Sequence, residues 1–259
     1  MNWRHWLLLT VAAVVIAVAC ASDPVAQSSD YHQFSDQRVI FGVPNFWNVV
    51  SNIPFFIVGM IGLGSMRGTV FHATQPNPRV AYHLFFVGAV LIAIGSSVYH
   101  FNPSNASLLW DRLPMTISFM ALAAIVVSEF IDKETGSRLQ WPLVIAGLLS
   151  VAYWYWTEQS GAGDLRPYAV IQFTPMLLIP LILILFRKPG VTWIWGIVLA
   201  YALAKALEHF DAAVLAFVGI SGHALKHVVA ALGMLLLVGF FRRAHLGSGL
   251  AIMHHGQGA

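Results

Sequence analysis

Charge is scarce in this chain. Asp, Glu, Lys and Arg make up only 10% of its 259 residues, against 58% hydrophobic residues, and the mean hydropathy is strongly positive. A soluble domain carries roughly a quarter of its residues as charged side chains, so an ordinary water-exposed fold is excluded. Cysteine is almost absent too. The single thiol, Cys20, rules out an intramolecular disulfide and a thiolate metal cluster, which leaves His, Asp and Glu to hold any metal. Basic clusters are also missing. The formal net charge of +3 comes from residues standing singly or in pairs at the ends of apolar runs, a pattern that excludes a nucleic-acid surface and reports membrane orientation instead. No internal repeat, low-complexity tract or linker divides the chain.

What is present is a succession of apolar runs near the roughly 20 residues that cross a bilayer. Residues 1–21 carry Arg4, an apolar run from Trp6 to Ala19, and Ala19-Cys20-Ala21 ahead of Ser22. This layout reads as a secretory signal peptide with an A-x-A cleavage site or as an uncleaved signal anchor. A lipid-modified Cys20 is a third reading, set against Ala17, where a lipoprotein signal normally carries Leu. All three export the segment that begins at Ser22. Residues 22–45 turn polar, with Asp23, Asp30 and Asp36, and close on the turn Gly42-Val43-Pro44-Asn45. They read as an extracytoplasmic segment lying against the bundle.

Seven apolar segments come next, approximately Phe46–Ser65, Val80–His100, Arg112–Ile131, Leu139–Thr157, Tyr168–Phe186, Val191–Leu207 and His223–Phe241. They are continuous, not alternating, so they read as helices and not as barrel strands. The expected fold is an all-α membrane protein: a seven-transmembrane helix bundle over residues 46–243, preceded by a signal peptide or signal-anchor helix and followed by a cytoplasmic tail over 244–259. Basic residues divide between its two ends. Arg4, Arg67, Arg79, Lys133, Arg138, Arg187, Lys188, Arg242 and Arg243 fall on one side, and Arg38, Arg112, Arg166, Lys205 and Lys226 on the other. The positive-inside rule makes the first side cytoplasmic. Pro54, Pro114, Pro175 and Pro180 lie inside these helices as bends that neighbouring helices can tolerate.

Ionisable groups within a bilayer are costly, so their positions carry information. His223 and His227 are four apart on one helical face and can converge on one metal ion when a third ligand approaches. Ser96 and His100 share a face at the end of the second core helix, and Asp111 is expected to begin the third. Tracing the helices places His100, Asp111, His223 and His227 all at the outer leaflet. Three nitrogens, an open fourth position for water and a carboxylate to take its proton meet the needs of a hydrolytic zinc site. Ser96 can supply a hydrogen bond to the water or to an oxyanion. Taken singly, Asp111 could cap its helix or pair with Arg112, and His100 could be a solvated interfacial imidazole. Asn48, Ser51 and Asn52 share one face and can either join helices or line a wet site. Glu208 and His209, with Asp211, end the sixth helix as solvated groups or as partners orienting the imidazoles. Lys226 stands where it can meet a lipid headgroup. His254 and His255 lie in the tail.

The motifs Phe46-Trp47-Asn48-Val49-Val50-Ser51-Asn52, Ser96-x-x-x-His100, Asp111-Arg112-Leu113-Pro114-Met115 and Gly222-His223-x-x-x-His227 resemble those of the alkaline ceramidase family. That family stands within a wider group of seven-helix metal hydrolases that includes adiponectin receptors. The resemblance implies Zn2+ held by His100, His223 and His227, with Ser96 and Asp111 assisting catalysis. It also implies a membrane-lipid substrate, ceramide or a related N-acyl lipid, whose amide is hydrolysed; from ceramide this gives sphingosine and a fatty acid. Two positions depart from the family pattern. Asn45 stands where eukaryotic members carry an acid, which counts against Ca2+ dependence. Arg112 replaces a residue that is commonly acidic, which bears on headgroup preference. Two other readings remain open: a receptor-like or structural seven-helix protein with a non-catalytic zinc, and a proton-coupled transporter with a His and Asp relay.

Overall fold

The computed structural model of the protein describes residues 2–67 and 77–245, so His254, His255 and most of the expected tail lie outside the described residues. Ten α-helices succeed one another: α1 (Trp3–Ala21), α2 (Phe46–Val50), α3 (Ile53–Ser65), α4 (Arg79–Phe101), α5 (Asn105–Val126), α6 (Lys133–Gln159), α7 (Arg166–Leu185), α8 (Val191–His209), α9 (Asp211–Val218) and α10 (Gly222–His245). No strand occurs among the described residues. The α2–α3 pair, α4 to α8 and α10 form the seven-helix bundle, and α1 packs along α7 with none of its residues buried. Among the described residues, length and apolarity qualify seven helices to cross a membrane, namely α1 and all of the bundle except α6. α6 is more polar, but its 27 residues extend about 40 Å, more than a bilayer core.

Three local features differ from the sequence expectation, each for a physical reason. The first core helix is broken. Pro54, the second residue of α3, has no N–H for the Val50 carbonyl and its ring would clash there, so the chain turns at Ser51–Asn52. The third core helix starts at Asn105, before Asp111, because Ser104 and Ser107 form a reciprocal capping box with Ser107 N–H donating to Ser104 Oγ at 3.1 Å. Asp111 therefore lies inside α5 rather than at its start. The short helix α9 turns the chain between α8 and α10.

The packing separates a dry end from a polar one. Tyr82, Phe86, Phe130, Phe240 and Phe241 join one apolar cluster where α4 begins and α5 and α10 end. Buried Ser96, His100, Asp111, His223 and His227 gather towards the opposite end. Outward faces carry large apolar side chains such as Leu149 (63% exposed) and Leu199 (65%), as a lipid-facing surface requires. Basic residues sort by end as well. Arg242 donates to Ser65 and Lys188 to the Glu129 carbonyl at the dry end, while Arg38 donates to the Gly219 carbonyl and Arg166 to that of Ser22 at the other.

Candidate metal centre and lipid cavity

The end of α4 supplies His100 and the first turns of α10 supply His223 and His227, all buried. Their ring centroids form a nearly equilateral triangle with sides of 4.8, 5.0 and 5.1 Å. Nε2 of His223 lies 3.3 Å from Nε2 of His100. The start of α10 is fixed from several sides. Ser221 Oγ accepts from Ala224 N–H at 3.0 Å as an N-cap, and Asp211 on α9 accepts from His223 N–H at 2.7 Å. Gly222 permits the close approach to α8, since a Cβ there would meet the Leu207 carbonyl oxygen at 2.1 Å.

The break between α2 and α3 turns Ser51 towards His227, its Oγ 2.8 Å from Nδ1. Ser51 donates its proton to the Asn48 carbonyl at 3.1 Å. A hydroxyl has one proton, so with it on the Asn48 carbonyl Ser51 would accept from a His227 Nδ1–H and leave the Nε2 lone pair free for a metal. Asn48 is fully buried; its Oδ1 accepts from Ser221 Oγ at 3.0 Å, which ties α2 to the cap of α10. Asn52 donates to the Asn48 carbonyl at 2.8 Å and does not reach the histidines.

Asp111 and Ser96 both line a cavity at the α4–α5 contact. A neighbouring glycine makes the contact this close. A Cβ on Gly95 would lie 2.0 Å from the Trp110 carbonyl oxygen, and that carbonyl has lost its helical donor because Pro114 has no N–H. Asp111, Ser96 and the three histidines all line one cavity of about 330 Å³ between α4, α5, α7, α8 and α10. Its deeper wall is apolar, with Ile92, Met115, Phe119 and Met234. Phe173 of α7 lines it and is 46% exposed.

The sequence model of the ceramidase family matches residues 38–188, more than half of the chain. The chain belongs to the ceramidase family. The match takes in the Phe46–Asn52 motif, Ser96, His100 and Asp111, in agreement with the resemblance carried by those motifs. It ends before His223 and His227, and it is the fold that joins those two residues of this ceramidase-family chain to His100. No match was found among curated proteins or among solved structures.

The three histidines could hold a metal ion, and their spacing is compatible with zinc. Two nitrogens bound tetrahedrally at 2.0–2.1 Å stand about 3.3 Å apart, the separation between the His100 and His223 Nε2 atoms. The ligand atoms of the three histidines all lie within 4.8 Å of one another, and the described residues add no fourth member to that group. His100 Nδ1 is buried without a hydrogen-bond partner, so packing and not hydrogen bonding aims its ring.

That packing comes from a part of the chain whose role the sequence did not reveal. Residues 22–45 form a strap over the centre, and Phe34 is buried with its ring 4.7 Å from that of His100 and 5.0 Å from that of His223. His32 bonds Tyr99 and Asn105 at 3.1 and 3.0 Å, and Asn45 donates to the His100 carbonyl at 2.9 Å. Tyr31, Phe34 and Phe41, scattered through a polar stretch, give no helical or strand periodicity. Of the remaining candidates, Glu208 lines the cavity and is paired with Lys205 and Lys226. His209 is exposed at the end of α8 with its ring against Phe210, and the structure does not bring it to the other histidines.

Proposed function

We propose that the protein is a zinc-dependent intramembrane hydrolase that cleaves the amide bond of ceramide or a related N-acyl lipid. The observation that carries this reading is the convergence of three buried histidines, with no fourth close ligand among the described residues, on an apolar cavity that also holds Asp111. A structural zinc that only ties α4 to α10 would call for four protein ligands. Membership of the ceramidase family supports an amide-hydrolysing role.

His100, His223 and His227 would hold the ion, with Ser51 fixing the tautomer of His227. When bound, zinc acidifies a water and polarises a carbonyl. Asp111 takes the proton of the attacking water as general base. Water oxygen adds to the amide carbon, the carbon–nitrogen bond breaks, and Asp111 returns the proton to the leaving amine, giving a fatty acid and a long-chain base. Ser96 lines the cavity with Asp111 and stands ready to hydrogen-bond the developing oxyanion. The strap roofs the centre, so the lipid chains enter sideways between α7 and α8 past Phe173. The basic residues at the dry end, by the positive-inside rule, support an extracytoplasmic metal centre and a cytoplasmic end of α10.

Turnover of a panel of N-acyl lipids by the purified wild type and Asp111→Asn tests the reading. The wild type should release a long-chain base, and Asp111→Asn should lose about 10²–10⁴-fold of that rate. Failure of the wild type to cleave any member of the panel would contradict it.

A further inference from the structure

Arg112 carries a buried positive charge with no ion-pair partner among the described residues. The residue is 5% exposed. Its guanidinium carbon lies 4.2 Å from the ring centroid of Trp154, 4.7 Å from that of Tyr168 and 5.7 Å from that of Tyr31. Nη2 donates to Gln27 Oε1 at 2.6 Å. Nη1 is buried with no hydrogen-bond partner, and none of the ion pairs among the described residues includes Arg112. Aromatic faces and one neutral amide orient a guanidinium but do not cancel its charge, and a buried arginine is stable chiefly where a planar anion meets its fork. Asp111, although adjacent in sequence, lies about 100° away around α5 and makes no ion pair with Arg112.

Arg112 lines the same cavity as the histidines and Asp111. Lys205 and Lys226 line it too and share the single carboxylate of Glu208. Three cationic side chains thus face two carboxylates, Asp111 and Glu208, before any metal is counted. A neutral lipid would leave that surplus uncompensated.

We propose that Arg112 binds an oxyanion, a carboxylate or a phosphate, borne by the lipid that occupies this cavity. Two sources share this chemistry: an anionic group on the head of the N-acyl substrate, and the carboxylate of the released fatty acid. The inference rests on the amide-hydrolase reading for the identity of the lipid, and its first test is independent of turnover.

In the purified full-length protein, binding of laurate and of dodecyl phosphate is compared with that of dodecanol by thermal shift. The anions should bind at least about ten-fold more tightly to the wild type, Arg112→Gln should erase most of that difference, and Arg112→Lys should restore part of it. Equal affinity for anion and alcohol in the wild type overturns the proposal even where Arg112→Gln does not fold, as does an anion preference that Arg112→Gln retains. Turnover then separates the sources. A fall in the kcat/KM ratio of anionic-headed to neutral-headed N-acyl lipids in Arg112→Gln assigns the site to the substrate head. An unchanged ratio with weakened inhibition by laurate assigns it to the product. If the wild type cleaves no N-acyl lipid, the hydrolase reading fails, while the binding comparison still decides the anion site.

Discussion

The hydroxyl of Ser51 lies 2.8 Å from Nδ1 of His227 while giving its own proton to the carbonyl of Asn48. The imidazole is thereby held by a residue in the turn between α2 and α3, and removing the hydroxyl frees the ring. Ser51→Ala should weaken zinc binding by about 10–100-fold, the usual effect of losing a partner of a ligating histidine. Competition against a chromogenic chelator measures this, and an unchanged affinity would remove Ser51 from the metal centre.

Gly95 should tolerate no side chain. The methyl of Gly95→Ala would have to occupy space 2.0 Å from a backbone oxygen of α5, so α4 and α5 must separate. The expected loss is about 1–3 kcal/mol of stability, as for other overpacked contacts. Activity should fall further, by about 10²-fold, because Ser96 and His100 move relative to Asp111. Thermal melting and turnover together check this; a variant matching the wild type in both would show that α4 and α5 do not pack this closely.

Acid should loosen the two ends of the strap. Side-chain hydrogen bonds from Arg38 and Arg166 hold the carboxyls of Asp36 and Asp164 below the usual carboxylate range. Arg38 also reaches the Gly219 carbonyl and Arg166 that of Ser22, so these pairs fasten the strap to the bundle. Because both values are depressed on folding, the stabilisation is complete above the unfolded carboxyl value near about 3.9 and is lost as pH falls through the folded values. The melting temperature should therefore hold from neutrality to about pH 5 and drop below about pH 4. Asp36→Asn should melt lower than the wild type at pH 7 and show a shallower acid decline. Equal melting of the two proteins at pH 7 would contradict this.

Much of the architecture could be read from residue order. Continuous apolar runs near bilayer length disclose the helices, and tracing their direction puts His100 at the same depth as the i, i+4 pair His223 and His227. The features hidden from residue order are local or long-range. Ser104 resembles a loop residue until its box with Ser107 is seen, so spacing alone starts α5 too late and makes Asp111 a helix-end group. Pro54 announces a bend, but whether the chain kinks or breaks depends on what receives Ser51, and the receiver is His227, 176 positions away. The surroundings of Arg112 come from Gln27, Trp154 and Tyr168 on three separate elements, a convergence that no spacing rule contains.

The central claim is that His100, His223 and His227 hold a catalytic zinc. Metal content and N-acyl amide turnover, measured on the same preparations of wild type and His223→Ala, test it most directly. The wild type is predicted to carry about one zinc per chain. Chelation should remove zinc and activity together, added zinc should restore both, and both should be lost in His223→Ala. A His223→Ala protein that kept its zinc and its full amidase activity would contradict the claim.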